Sequence, residues 1–457
     1  MISLSGCALL AGFLGAQTLV ALDEKKTAAD RARQDFELMR LFADAYEQID
    51  SSYVREVDRR KLVDAAIRGM ASHLDPHSTF IPPEDLAKFE QRLDQEFVGI
   101  GIHVQNVNNR LEIIRPLPGS PAWRAGIRNG DVILEIDGRS TTGMTPEEAG
   151  RLLAGIPGRP VVLGVRKPQA EQTEQVTVVR ERIQLPTVAG VTRRDDLKWD
   201  FMLNPAEGIG YIGLMHFSRN TADEVESALK DLMAHDLKAL ILDVRSNPGG
   251  LMESAVAIAD LFLDAGPIVS MKGRVVPEKK WTARKGELLC SVPLIVLTNR
   301  QSASASEVLS ACLQDNKRAV IIGERTWGKG SVQNVVSLED GKSALKITTA
   351  SYFRPSGVNI HRFPDSKKED AWGVMPDEGH LVELTKDEWT QWLLARETRD
   401  AAHQLPNEPA DPTFVDRQLQ HGVEWLRKQM ASAAAGPIAE GASSGSADAS
   451  EKVDSPK

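Results

Sequence analysis

The chain has 457 residues, 42% of them hydrophobic and 26% charged, which is too long for one hydrophobic core and ordinary for a globular protein of two or three domains. Its net charge of −9 gathers into no basic stripe, which excludes nucleic acid as a partner. Cys7, Cys290 and Cys312 are too few for a disulfide framework and have no metal-ligand spacing; a Cys290–Cys312 bridge and two separate buried thiols both fit, and two thiols is the plainer reading.

From Ile2 to Leu22 no side chain is charged, and Asp23-Glu24-Lys25-Lys26 follows at once. A run of that length spans a bilayer or serves as a secretory signal, so residues 1–27 are expected to direct export and to be cleaved, lipidated or kept as an anchor. No positive residue precedes the run, and Leu4-Ser5-Gly6-Cys7, which is similar to a lipoprotein signal, lies ahead of most of it. Part of the signal is therefore expected to lie upstream. Residues 28–95 read as helical, with Phe36, Met39, Leu41, Phe42, Tyr46 and Ile49 at helical spacing and a second run through Leu62, Ala65, Ala66 and Met70. Leu74-Asp75-Pro76-His77-Ser78 breaks the pattern, and Ile81-Pro82-Pro83-Glu84-Asp85 opens a further helix. Nothing here carries chemistry; the segment reads as a helical arm, with a homodimer through it left open.

Near residue 96 the period changes to that of strands. Phe97-Val98-Gly99-Ile100-Gly101-Ile102-His103-Val104 leads to Leu111-Glu112-Ile113-Ile114, then Gly119-Ser120-Pro121-Ala122, Gly130-Asp131-Val132-Ile133 and Ile136-Asp137-Gly138. A helix is expected over 146–153 and a strand over 161–165. This order of glycine turns, strands and a late helix resembles a PDZ domain over residues 96–183. The resemblance implies that the backbone around Val98, Gly99, Ile100 and Gly101 holds a peptide's terminal carboxylate while the peptide adds a strand to the sheet.

Strands and helices alternate from about residue 208. Ile209-Gly210-Tyr211-Ile212 is a strand, Thr221 and Glu224 have the spacing of a capping box, and Ala239 to Val244 is an apolar strand of the kind buried on both faces. A helix over 252–262, the strand Leu294-Ile295-Val296-Leu297, a helix over 303–313 and the strand Ala319-Val320-Ile321-Ile322 follow. Such units build an α/β layer. From Ala431 onward Ala, Ser, Gly and scattered acids cannot bury enough apolar surface to fold, so 431–457 is expected to be disordered.

Ligands gather at the C-terminal ends of the strands in such a layer. Arg245-Ser246-Asn247-Pro248-Gly249-Gly250 follows one strand and Asn299-Arg300-Gln301-Ser302-Ala303-Ser304-Ala305-Ser306-Glu307 another. Both offer backbone N–H groups to an oxyanion. Taken alone, Ser302, Ser304 and Ser306 are helix N-caps. A third junction, Gly323-Glu324-Arg325-Thr326-Trp327-Gly328-Lys329-Gly330-Ser331-Val332-Gln333, puts a lysine between two glycines, where a phosphate-binding loop would require Ser or Thr in place of Gly330.

Pro248-Gly249-Gly250, Ser302 to Glu307 and Gly328 to Gln333, together with Leu74 to Ser78, Tyr352 and Pro355-Ser356-Gly357, closely resemble the carboxyl-terminal processing peptidases, or tail-specific proteases, over about 35–380. The resemblance implies an α/β multidomain fold: a crotonase-like protease core with an inserted PDZ domain and an N-terminal helical arm. The core is then expected over 184–385, with a C-terminal helical extension over 386–430. It implies a serine endopeptidase without cofactors in which Ser304 is the nucleophile, Lys329 the general base and Gln333 the residue that orients the lysine. A backbone N–H of Gly249 or Gly250, with that of Ala305, would form the oxyanion hole. Substrates would be proteins with exposed, apolar C-termini, met on the periplasmic side of a bacterial cell envelope, with a regulatory partner left open.

The residue types suit this chemistry. A serine hydroxyl needs a base, and a lysine with its ordinary pKa of about 10.4 is a base only when burial lowers that value. A neutral amide such as Gln333 holds the amine without restoring its charge. In an extended strand the Cα atoms of Lys329 and Gln333 would stand about 13 Å apart, so contact requires a bend near Gly330 or long side chains converging on each other. His216 reads as a packed histidine, Asp243 as a brace for the Arg245 loop, and Trp327 and Tyr352 as walls. The chief rival is a PDZ-containing binder without catalysis. Crotonase-type acyl-thioester chemistry is a further alternative, which predicts catalytic carboxylates near the loops.

Overall fold

The computed structural model describes residues 7–86, 89, 96–168, 170–194, 196–400 and 411–434, with the side chains of 7–29, 96, 400 and 434 outside that description. The chain forms two compact units, Met1–Pro82 and Pro83–Lys457.

In the first unit, helix α1 runs Cys7–Ser52 and helix α2 Arg59–Leu74. Asp58 caps α2 by accepting from the Lys61 N–H at 3.1 Å. The periodic Phe36, Met39, Leu41, Phe42 and Ile49 are all exposed. Asp75 closes the turn after α2, its carboxylate accepting from the N–H groups of His77 and Ser78 and from the Ser78 hydroxyl. The apolar run 2–22 lies outside the residues whose side chains are described. Among the described residues no helix is long and apolar enough to cross a membrane.

The second unit begins with strands β1 (Glu96–Gly99), β2 (Ile102–Val107), β3 (Arg110–Pro116) and β4 (Val132–Ile136), helix α3 (Pro146–Leu153), and strands β5 (Pro160–Arg166), β6 (Glu174–Val179) and β7 (Glu181–Gln184). Strands β2 to β6 form one antiparallel sheet in chain order, while β1 pairs with β7 in a separate ribbon. The start of α3 is fixed by a reciprocal box between Thr145 and Glu148. Leu111, Ile113, Ile133, Leu163 and Val165 close the core beneath it.

Next come β8 (Val188–Ala189), β9 (Met202–Asn204), β10 (Ile209–Leu214), α4 (Thr221–Ala234), β11 (Ala239–Asp243), α5 (Met252–Asp260), β12 (Pro267–Lys272), β13 (Lys279–Thr282), β14 (Leu294–Thr298), α6 (Ala305–Asp315) and β15 (Val320–Gly323). They are followed by β16 (Ser331–Leu338), β17 (Ser343–Phe353), α7 (Lys386–Asp400) and α8 (Arg417–Ala434). Strands β10, β11, β14 and β15 are parallel neighbours in that order, with β8 antiparallel on the outer side of β10. One face packs on α4, α5 and α6 through residues such as Leu229, Ile258 and Leu309. The other is covered by α8, whose Leu419, Val423 and Leu426 meet Ile241, Ile295, Leu297 and Ile322. Burial on both faces is why β11 reads as a continuous apolar run. A second, antiparallel sheet runs β16–β17–β12–β13.

Two expectations need correction. Thr221 does not cap α4: Asn220 holds that place, the Thr221 hydroxyl bonds to Thr187 Oγ1, and Glu224 accepts from the N–H groups of Thr187 and Val188 instead. Glu224 is used to pin the neighbouring strand, a tertiary contact that the box spacing cannot reveal. In addition, α8 continues to Ala434, four residues into the stretch expected to be unfolded; residues 435–457 lie outside the described ones. Cys290 and Cys312 are free, buried thiols.

Candidate active site

The two loops expected to meet do so at the C-terminal ends of β11 and β14. The turn after β14 is held from both sides. The Ser302 hydroxyl donates to the Val244 carbonyl at 2.8 Å, and the Ser306 hydroxyl donates to the Asn247 carbonyl at 3.0 Å. Both side chains are fully buried. Ser304, between them, is only half-buried, and its backbone has φ 58° and ψ −115°. A non-glycine residue in that conformation is strained, and such strain collects at functional sites. Two of the three serines are thus bolts, and the third is displayed.

Ala305 opens α6, so its N–H has no acceptor within the helix. Gly249 lies directly against this turn, where a Cβ at 249 would come within 2.6 Å of the Ala303 carbonyl oxygen and 2.8 Å of the Ser304 Cβ. Only glycine, here at φ 97°, allows that approach. The Gly249 N–H donates to Asn247 Oδ1 at 2.8 Å. Of the two glycines considered for the oxyanion hole, Gly250 is therefore the one whose N–H makes no hydrogen bond among the described residues.

Lys329 sits between β15 and β16 and is half-buried. Its flanking glycines allow tight docking: Gly330 passes so close to His361 that a Cβ would collide with the His361 nitrogen, and the Gly328 carbonyl accepts from the Arg362 N–H at 2.8 Å. Burial lowers the Lys329 pKa below that of an ordinary lysine, nearby Lys346 lowers it further, and Glu307 opposes the shift.

The side chain that joins the two loops is Glu307. One carboxylate oxygen accepts from the Ser304 N–H at 2.8 Å and the Lys329 N–H at 2.8 Å, and the other from Thr326 Oγ1 at 2.6 Å and the Gly328 N–H at 2.6 Å. The main chains of Ser304 and Lys329 therefore share a single carboxylate oxygen. Burial pushes the Glu307 carboxyl up, while these hydrogen bonds pull the other way. The sequence shows Glu307 only as a first-turn acid; that it also serves a loop 22 residues on is a tertiary fact. The spacing Ser304-x-x-Glu307, that of a capping box, is the signal it does carry.

Gln333 lies on β16, and its amide donates to Ser331 Oγ at 2.9 Å and Thr348 Oγ1 at 3.3 Å. Among the described residues no hydrogen bond joins Lys329 to Gln333 or to the Ser304 hydroxyl. Asp243 braces the loop as expected, accepting from the Arg245 backbone and guanidinium. His216 is half-buried, and burial lowers its pKa. Trp327 is 57% exposed, and Tyr352 is buried with its hydroxyl pKa raised by that burial. Val98, Gly99, Ile100 and Gly101 line a groove of about 400 Å³ whose opposite wall includes Pro146, Gly150 and Leu153 of α3. No cluster of three or more metal-ligating side chains occurs among the described residues.

Residues 208–378 match peptidase family S41, 112–167 a PDZ domain, and 9–84 the activating protease CtpB N-terminal domain. The carboxy-terminal-processing protease of Bartonella bacilliformis is 33% identical over 92% of this chain and 94% of its own. The carboxy-terminal processing protease CtpA of Bacillus subtilis is 34% identical over 75% of this chain and 70% of its own. A solved photosystem II D1 C-terminal processing protease is 31% identical and covers 75% of this chain and 92% of its own, with a TM-score of 0.42. With a displayed serine, a lysine loop tied to it and kinship along nearly the whole length, the chain belongs to the carboxy-terminal-processing proteases of peptidase family S41 and is a serine-type peptidase.

Proposed function

We propose that this peptidase cleaves proteins near their C-termini with Ser304 as nucleophile and Lys329 as base, and that its PDZ domain binds the substrate's C-terminus. The observation that carries the assignment is the division of labour among three serines, in which Ser302 and Ser306 are buried in structural bonds and Ser304 is left half-buried, its main chain tied through one Glu307 oxygen to that of half-buried Lys329. Neutral Lys329 takes the Ser304 proton as Oγ attacks the scissile carbonyl carbon. The Gly250 and Ala305 N–H groups hold the resulting oxyanion, and the lysinium returns the proton to the departing amine. Water then hydrolyses the acyl-enzyme with Lys329 again as base. The carboxylate of Glu307 does not compete for the amine, since its oxygens are occupied by Thr326 and by backbone N–H groups. Gln333 orients the amine when the lysine closes on Ser304.

The groove along Val98 to Val104 accepts an extended, apolar C-terminal segment as an added strand. The uncharged run 2–22 supports export to the periplasmic side of a bacterial envelope, and the exposed apolar side chains of α1 support a homodimer through the arm. The alternation of parallel strands and helices supports a crotonase-like core.

The test is digestion of an unfolded reporter bearing an apolar C-terminal tail by the full chain, alongside Ser304→Ala and Lys329→Ala. Cleavage by the parent and by neither variant is expected. Cleavage that survives Ser304→Ala would sink the nucleophile assignment.

A further inference from the structure

We infer that the C-terminal helices are part of the catalytic apparatus, and that Asp416, at the start of α8, is a positioning residue that holds the oxyanion loop through Arg245. The inference rests on the reading of the Gly249–Gly250 loop given above.

Arg245 is the first residue of that loop, and its side chain is 2% exposed. Asp243, the last residue of β11, supplies part of its compensation, with Nη2 at 2.6 Å from Oδ2. The rest comes from 171 residues away, where Asp416 lies 3.0 Å from Nη1 and 2.9 Å from Nη2. Gln418 Oε1 accepts from Nη1 at 3.0 Å, and the guanidinium lies over the Trp392 ring of α7 at 4.9 Å. Arg396, one turn further along α7, donates to the Arg245 backbone carbonyl at 3.2 Å. The guanidinium and the peptide that leads to Ser246 are thus both gripped by α7 and α8.

The loop is held from the core as well: the Asn247 carbonyl accepts from the Ala303 N–H and the Ser306 hydroxyl, each at 3.0 Å, and the Gly249 carbonyl from the Phe217 N–H at 3.0 Å. Ser246 has φ 57°, with its N–H bound by Asn299 Oδ1 of the nucleophile turn. Asn247 donates its amide to the Leu214 carbonyl at 2.9 Å and accepts from the Gly249 N–H at 2.8 Å. Arg245 is thus the end of the loop that α7 and α8 hold, and a shift there reaches the glycines packed on Ser304 through Ser246 and Asn247. Oxyanion stabilisation depends on donors fixed before the charge develops, so a loosened loop costs turnover more than binding.

Asp416 can be changed without unfolding the element that carries it. Its carboxylate also caps α8, accepting from the Leu419 N–H at 3.0 Å, and asparagine caps as well as aspartate. Asp416→Asn leaves Arg245 paired with Asp243, so no uncompensated charge is buried. Asp416 lines a cavity of about 250 Å³, which gives a glutamate room for its extra methylene.

The experiment measures the rate at which a fluorophosphonate labels the full-length chain, since its phosphoryl oxygen occupies the oxyanion hole. Melting temperature is recorded for each variant. Asp416→Asn is expected to slow labelling by about tenfold with the pH dependence and melting temperature of the parent, and Asp416→Glu to restore the rate. Labelling of Asp416→Asn within twofold of the parent would overturn the inference. So would a loss that tracks a lowered melting temperature and is not recovered by the glutamate. Labelling that persists in Ser304→Ala strikes the nucleophile assignment instead, and is thereby told apart.

Discussion

Glutamine at position 307 keeps the shape of Glu307 but turns an NH2 group toward backbone N–H donors that the carboxylate now satisfies. Each donor left unpaired in a buried place costs roughly 1–3 kcal/mol, so Glu307→Gln is expected to abolish proteolysis and lower the melting temperature, measured by reporter digestion and calorimetry. Ser306→Ala removes one bolt and leaves the Asn247 carbonyl without that donor. It should cost about 1 kcal/mol of stability and keep measurable activity, whereas Ser304→Ala should keep stability and lose activity. Lys329 carries the pH prediction. Its folded pKa lies below its unfolded value because of burial. The unfolded chain therefore binds more protons in the interval between the two, and the group's contribution to stability improves as pH rises through it. Lys329→Met should melt higher than the parent near neutral pH, with the gain vanishing in alkali. Activity of the parent should rise as pH passes through the lowered pKa of folded Lys329, and a flat profile from neutral to mildly alkaline pH would count against a neutral lysine.

At the level of elements, the loops matter through how closely they approach. Gly249→Ala places a methyl group 2.8 Å from the Ser304 Cβ, so the Pro-Gly-Gly loop must withdraw and its donor leave the oxyanion. A fall in kcat of about 10²–10³ is expected, the cost of one such donor, with a smaller change in KM. The strands and helices of the core were legible because alternation of apolar strands with helical periods survives in the bare sequence, and the glycines of 248–250 and 328–330 mark turns by themselves. Contacts made across the fold were not legible. Glu224 was assigned to a local cap and pins Thr187 and Val188 instead, and Glu307 looked like a first-turn acid. In both cases a carboxylate three residues from a helix start has a local use that spacing suggests and a distant one that spacing cannot encode. Gln333 shows the same limit, since its strand position was foreseeable and its bonds to Ser331 and Thr348 were not.

For the whole molecule, the proposed division of labour is that the PDZ domain selects and the core cuts. Deleting residues 96–183 should change which tails are cut while leaving the Ser304 labelling rate intact, and unchanged tail preference in the digestion assay would remove the sensor role. The ribbon formed by β1 and β7 bears on this directly. Glu96 faces Gln184 and Gly99 faces Glu181 in antiparallel register, so the two ends of the peptide-binding module lie side by side, about 5 Å apart. A module joined through such a paired stem can be exchanged for another without lengthening or straining the chain on either side. Recognition and bond breaking can thus be inherited, shuffled and engineered as separate traits, with one hydrolytic engine serving any tail for which a grafted reader exists.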